Sequence, residues 1–161
     1  MTTAPPPDAS EAVERMAERL RTDAAGLSAL RLSAANVHAH EASDRLPLVL
    51  VQQTDRPGSR VGAAAGVATA VEVDVLVEVL RTSKTTPYNP RRALAAIHRW
   101  AFVRLSGTDV DAAAETPLQH AAQLLPIVGY TGPDTPQTDA KRGSLFSIAS
   151  FVLTLQPRTA P

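Results

Sequence analysis

The stretch ATAVEVDVLVEVL, residues 68–80, carries valine at 71, 73, 75, 77 and 79, interleaved with Glu72, Asp74, Leu76 and Glu78. A period of two marks a strand, because successive side chains point to opposite faces of a sheet. Five β-branched residues on one face suit a pleated surface and would crowd the turns of a helix. The stretch therefore reads as a strand over 69–81 that buries its valines. Its three acids define a polar face, turned to water or to a polar partner.

The other elements are placed around this strand. LPLVLVQQ (46–53) is an apolar run of strand length, with Pro47 at one end and Asp55, Pro57 and Gly58 at the other, and reads as a buried strand over 48–54. In SLFSIASFVLTLQ (144–156), Phe146, Ile148 and Val152 share one face; Leu145, Ala149, Phe151, Leu153 and Leu155 share the other. Two largely apolar faces predict a closing strand covered on both sides. A short strand is expected near 35–40.

Val13, Met16, Ala17, Leu20, Ala24 and Leu27 recur at helical spacing, with Glu14, Arg15, Glu18, Arg19 and Arg21 on the remaining faces. They predict an amphipathic helix over about 9–25, started by an Asp8–Glu11 capping box and ended near Gly26. Pro90 suits the first position of a second helix, 90–105, with Asn89 as its cap and Leu94, Ile97, Ala101 and Leu105 as its apolar stripe. Pro126 argues against a continuous helix over 118–130, where a turn at Gly129 is expected. The expectation is an α+β fold: a central, mostly antiparallel sheet flanked by two main helices. It occupies one domain, 9–157, behind a disordered lead at 1–8, with long loops at 55–66, 82–89 and 131–143.

Composition narrows the function. Of 161 residues, 44% are hydrophobic and 20% charged, which excludes wholesale disorder. Lys+Arg and Asp+Glu are both 16, so the basic excess of a phosphate-gripping protein is missing, and weak mutual repulsion tolerates self-association. Without cysteine there is no disulfide, thiol nucleophile or thiolate metal site. No window approaches the ~20 apolar residues of a spanning helix, and the first residues lack the apolar core of a signal peptide.

Chemistry-bearing motifs are few. His38-Ala-His40-Glu41 is the best metal candidate, since alternate residues of a strand share a face; a third ligand has to come from His98, His120 or an acid. Two histidines on an exposed strand or loop are the plainer reading, and no metal or cofactor is expected. Gly62 and Gly66 lack the strand–helix context and the Gly-Lys-Ser/Thr of a phosphate loop. No GxSxG elbow is present, and no serine pairs recognisably with the four histidines. Glu72, Asp74 and Glu78 read as a solvated face, or one facing a neighbouring subunit, before they read as acid–base catalysts. Arg56, Arg60, Arg81, Lys84, Arg91 and Arg92 lie in or beside two loops, where they suit intersubunit salt bridges at least as well as nucleic acid.

Taken in order, the elements resemble those of the tail terminator (minor tail protein U) family of long-tailed bacteriophages and the related tail-completion proteins. The resemblance is carried by LPLVLVQQT (46–54), ATAVEVDVLVEVL (68–80), IVGYTGPDTPQTDAKRGSLFSIASFVLTLQ (127–156) and the helix over Glu11–Leu27. Residues 1–8 and 106–117 are extra to the shorter members. The resemblance implies a structural, non-enzymatic subunit of a homohexameric ring at the head-proximal end of the tail, assembled in the host cytoplasm and then part of the virion. Such a ring ends tube polymerisation and offers the head a joining surface. The implied partners are itself, the tail tube protein, the sheath protein as a further candidate, and a head-completion or neck protein. No membrane and no sequence-specific nucleic acid are among them, although DNA passes through such a ring. Contacts are then expected from the loops 55–66 and 82–92, the second carrying Lys84, Arg91 and Arg92, with Arg56, Arg60 and Arg81 set against Glu72, Asp74 or Glu78 of a neighbour. The alternatives are a neck or head-completion connector, and a small metal- or ligand-binding enzyme domain using His38 and His40.

Overall fold

Residues 9–54, 69–82, 88–106 and 129–155 are described by a computed structural model of the chain. The 68–80 stretch forms β3 (Thr69–Leu80), as its alternation predicts. It lies between β2 (Leu48–Gln53) and β6 (Ser144–Leu155), antiparallel to both. A short β1 (Val37–Ala39) extends the sheet parallel to β2. The other edge of β6 is shared by β4 (Gly129–Thr131) and β5 (Gln137–Asp139), both antiparallel to it. The sheet is thus mixed but mostly antiparallel, in the order β1-β2-β3-β6-β4 with β5 also on β6.

The register fixes what each face carries. Val75 pairs with Val51 and Ala149, and Val77 with Val49 and Ser147. On this face all five valines of β3 are buried, as are Val49, Val51, Leu145, Phe151 and Leu153. They form one core with α1 (Ala9–Arg21) and α3 (Pro90–Ser106), through Val13, Met16, Leu20, Leu94, Ile97, Ala101 and Leu105. None of the described helices lies against the opposite face. Among the described residues, no helix is long and apolar enough to cross a membrane.

The first helix is shorter than its periodicity suggests. It stops at Arg21, and a separate α2 (Ala24–Ala29) begins after Asp23, whose carboxylate accepts the Gly26 N–H at 3.2 Å. Gly26 therefore sits inside the second helix instead of ending the first. The apolar spacing continues across the break because Leu27 still reaches the core. A Cβ at position 26 would collide with the Asp23 carboxylate and the Trp100 indole, so glycine here leaves room for the hydrogen bond between those two, 2.7 Å long.

At α3, Pro90 takes the first position and Asn89 accepts the Arg92 N–H at 3.2 Å, as expected. The 131–143 connection is more structured than a long loop: β5 and the turn through Gly143, at φ +61°, return the chain tightly into β6. The expected capping pair at Asp8 and Glu11, the loop 55–66, most of 82–89 and the segment 108–128 lie outside the described backbone or side chains.

Candidate functional site

The acids of β3 depart from the solvated face that alternation implies. Glu72 is half-buried, but Asp74 and Glu78 are only 5% and 7% exposed. The β3–β6 register explains how buried carboxylates are tolerated. Asp74 pairs directly with Ser150, whose hydroxyl donates to Oδ1 at 2.6 Å, the short length of a charge-assisted bond. Glu78 takes the Ser144 hydroxyl. Its Oε2 also lies 3.1 Å from Arg142 Nε, an ion pair rather than an aligned hydrogen bond. Arg142 further reaches the Ser43 carbonyl at 3.1 Å and Asp44 at 3.4 Å, tying the 40–47 loop to the β5–β6 turn. A buried charge without such partners would cost several kcal/mol. Asp74 and Glu78 thus have partners inside their own chain. Sequence reading missed this because only the register of β6 sets Ser150 opposite Asp74 and Ser144 diagonally from Glu78.

The two histidines of the metal alternative are separated by the backbone. His38 pairs with Leu50, opposite the valine face. His40 has φ +68°, which ends the extended conformation, and its Nε2 lies 3.7 Å from Glu14 of α1. The shared-face geometry required of alternate strand residues therefore fails at the second histidine. Among the described residues, no three His, Cys, Asp or Glu gather as a metal site.

One histidine does pair with a serine. His98 of α3 is 3% exposed, and its Nε2 lies 2.8 Å from Ser147 Oγ on β6. Burial pushes the imidazole pKa down to about 4, although Ser147 and the charge of Asp134 pull the other way. Ser147 is itself 2% exposed, so this pair cannot meet a substrate and serves as a neutral polar link within the core. A second, half-buried link joins Asp23, Trp100 and Arg104. Burial raises the Asp23 carboxyl pKa, but the indole N–H, the Gly26 N–H and the charges of Arg104 and Arg19 outweigh it and hold it low.

The accessible candidate lies where β3 ends. A groove of about 570 Å³ runs between the end of α2, the Leu80 end of β3 and the first turns of α3. Leu30, Val79, Leu80, Ala93, Ala96 and Ile97 give it an apolar floor. Arg31 and Arg92 line it as well, with no carboxylate among its described lining residues. Tyr88 closes one side, its hydroxyl donating to the Leu80 carbonyl at 2.7 Å. Arg31 is held there by an unusual backbone. It follows the C-cap of α2 with φ +58°, a place normally taken by glycine.

Of the arginines expected at an interface, Arg92 lines this groove, and Arg91 is exposed on the same first helical turn. Arg81 is exposed just beyond Leu80, its N–H bound to the Gly143 carbonyl. Arg56, Arg60 and Lys84 lie outside the described residues. Arg31 and Leu80 were missed: one lies in the stretch 30–45, whose pattern fits no single element, and the other looks like the end of a buried strand. No family model matches the sequence, and no curated protein matches it.

Proposed function

We infer that this chain is a structural, ring-forming subunit of the tail-terminator kind, capping the head-proximal end of a phage tail tube and presenting a joining surface to the head. The observation that carries this reading is the way the resembling segments come together. Residues 46–54, 68–80 and 144–155 become the adjacent strands β2, β3 and β6, with the two amphipathic helices on one face. That is the sheet-and-helix subunit the resemblance implies. The buried polar groups support it too: Asp74, Glu78 and His98 are each held by a serine of β6, as structural links are. The outward chemistry is a charged, partly apolar rim suited to protein contacts.

In this role the protein works by geometry. A closed ring repeats one heterologous interface, so each subunit needs two complementary patches. The partners are further copies of the chain, the tail tube protein and a head-completion or neck protein. The test is imaging of assembled particles, with and without the gene. The expected result is density at the head-proximal tail end, and tails of irregular length when the protein is missing. Its absence from that end, or normal tails without it, overturns the reading.

A further inference from the structure

Among the described residues only two large hydrophobic side chains are well exposed: Leu80 at 43% and Tyr130 at 37%. Leu80 belongs to the groove whose walls carry Arg31 and Arg92, neither of which has an ion-pair partner among the described residues. Basic residues in the first turn of α3 also work against its dipole, which favours anions there. The groove is therefore short of negative charge as well as open to an apolar side chain.

Tyr130 has the opposite character. It stands on the edge strand β4, its ring 4.6 Å from that of Phe102 and 4.9 Å from that of Phe151. The two phenyl rings hold it as a stiff aromatic knob, the kind of anchor that dominates interfaces. Asp134 stands just beyond it, fixed to β6 by bonds in both directions. Its Oδ1 accepts the Ile148 N–H at 2.8 Å, and its own N–H donates to the Ile148 carbonyl at 3.0 Å. Its other carboxylate oxygen has no partner among the described residues, and the sequence has no Lys or Arg between Arg104 and Lys141.

The two patches cannot meet within one subunit. Tyr130 pairs with Phe151, which pairs with Val73, so it sits level with the far half of β3 and one strand beyond β6. From Val73 to Leu80 is roughly 24 Å at about 3.4 Å per residue. Tyr130 lies on the helix-covered side with Phe151 and Phe102, whereas Leu80 follows Val79 at the end of β3 and shares the face of Glu78 and Ser144, so the groove opens around the end of the sheet and the two patches are left available to different neighbours. We propose that the Leu80 groove is the acceptor for the Tyr130–Asp134 edge of a second copy of this chain, with Tyr130 on the apolar floor and Asp134 between Arg31 and Arg92. Charge and apolar character match across the contact, and because the patches differ it is heterologous, propagating head to tail until a ring closes. The proposal deepens the ring reading and rests on it for closure; the pairing itself follows from the two patches.

Heterologous contacts allow a sharp test with full-length protein in analytical ultracentrifugation. Wild-type chain at low salt is expected to form species that grow past the dimer with concentration. A groove variant, Arg31→Glu with Arg92→Glu, keeps its knob; a knob variant, Tyr130→Ser, keeps its groove. Asp134→Asn, which retains an acceptor for the Ile148 N–H, is a milder second knob variant. With circular dichroism verifying the fold of each, every variant alone is expected to associate on the order of a hundredfold more weakly, as like charges meet or the anchor is lost. Mixed in equal amounts, groove and knob variants are expected to stop at a one-to-one pair, since one intact knob and one intact groove remain. A mixture that stays monomeric, variants that assemble like wild type, or a wild type monomeric at millimolar concentration overturns the contact. Rings that form despite both sets of substitutions would refute this contact while leaving the ring reading standing.

Discussion

Acid should weaken this protein through one imidazole. In the unfolded chain His98 takes up its proton near pH 6.5; in the fold, burial against Ser147 delays protonation until about pH 4. Between those values the unfolded state holds one proton more than the native state, so stability falls as pH falls. The contribution is complete above about pH 6.5 and declines at about 1.4 kcal/mol per pH unit, to a loss of about 3 kcal/mol near pH 4. Against a typical stability of about 5–15 kcal/mol this is a large share. The low pKa of Asp23 acts in a separate window: its carboxylate stabilises the fold above about pH 3.8, and that contribution is lost as pH falls further. Urea titrations from pH 4 to 8, followed by the fluorescence of the only tryptophan, Trp100, measure the slope. His98→Gln keeps a polar group within reach of Ser147 and does not titrate. It is expected to cost about 1–2 kcal/mol at pH 7 but to flatten the slope between pH 4 and 6.5 by about one proton's worth. The same slope in wild type and variant would refute the assignment of this pH dependence to His98.

Three further outcomes follow from packing. Val77→Asp places an unpaired carboxylate in the helix-covered core and is expected to cost several kcal/mol, enough to abolish cooperative unfolding by circular dichroism, whereas half-buried Glu72→Gln leaves the transition within about 0.5 kcal/mol of wild type. Gly26→Ala, favoured by helix propensity alone by about 1 kcal/mol, is expected to lower the melting temperature, because its Cβ displaces the Asp23–Trp100 bond. Arg31→Gly relieves a left-handed arginine and is expected to raise thermal stability by about 0.5–1 kcal/mol while weakening self-association in the ultracentrifuge.

The long strand was legible because valine at every second position admits one periodicity, and α3 because Asn89, Pro90 and a four-residue apolar step agree. The break between α1 and α2 was not, since the apolar spacing runs across it to Leu27 and hides the Asp23 cap on Gly26, which Trp100 further fixes from far away in sequence. The acids of β3 were misread for a related reason. Alternation assigns a residue to a face but does not reveal what stands across the ladder, and Ser144 and Ser150 decide whether that face is wet. The His38–His40 pair failed on a single backbone angle. The groove escaped notice because Leu30, Leu80 and Ile97 come from three separate elements, each of which reads as core on its own.

The β3–β6 ladder also sets a timetable for synthesis. Its buried hydroxyl–carboxylate bonds span 66 and 76 residues of sequence, so β3 is made long before its second neighbour exists. At translation rates of roughly 5–20 residues per second, the valine-rich strand waits about 3–15 s with one long edge open. During that interval β2 alone pairs with it, and the half-finished sheet is at its most adhesive. Substitutions that delay residues 144–155 are therefore expected to reduce the yield of folded protein more than its final stability, a loss visible as aggregate in the cell and not as a lowered melting point.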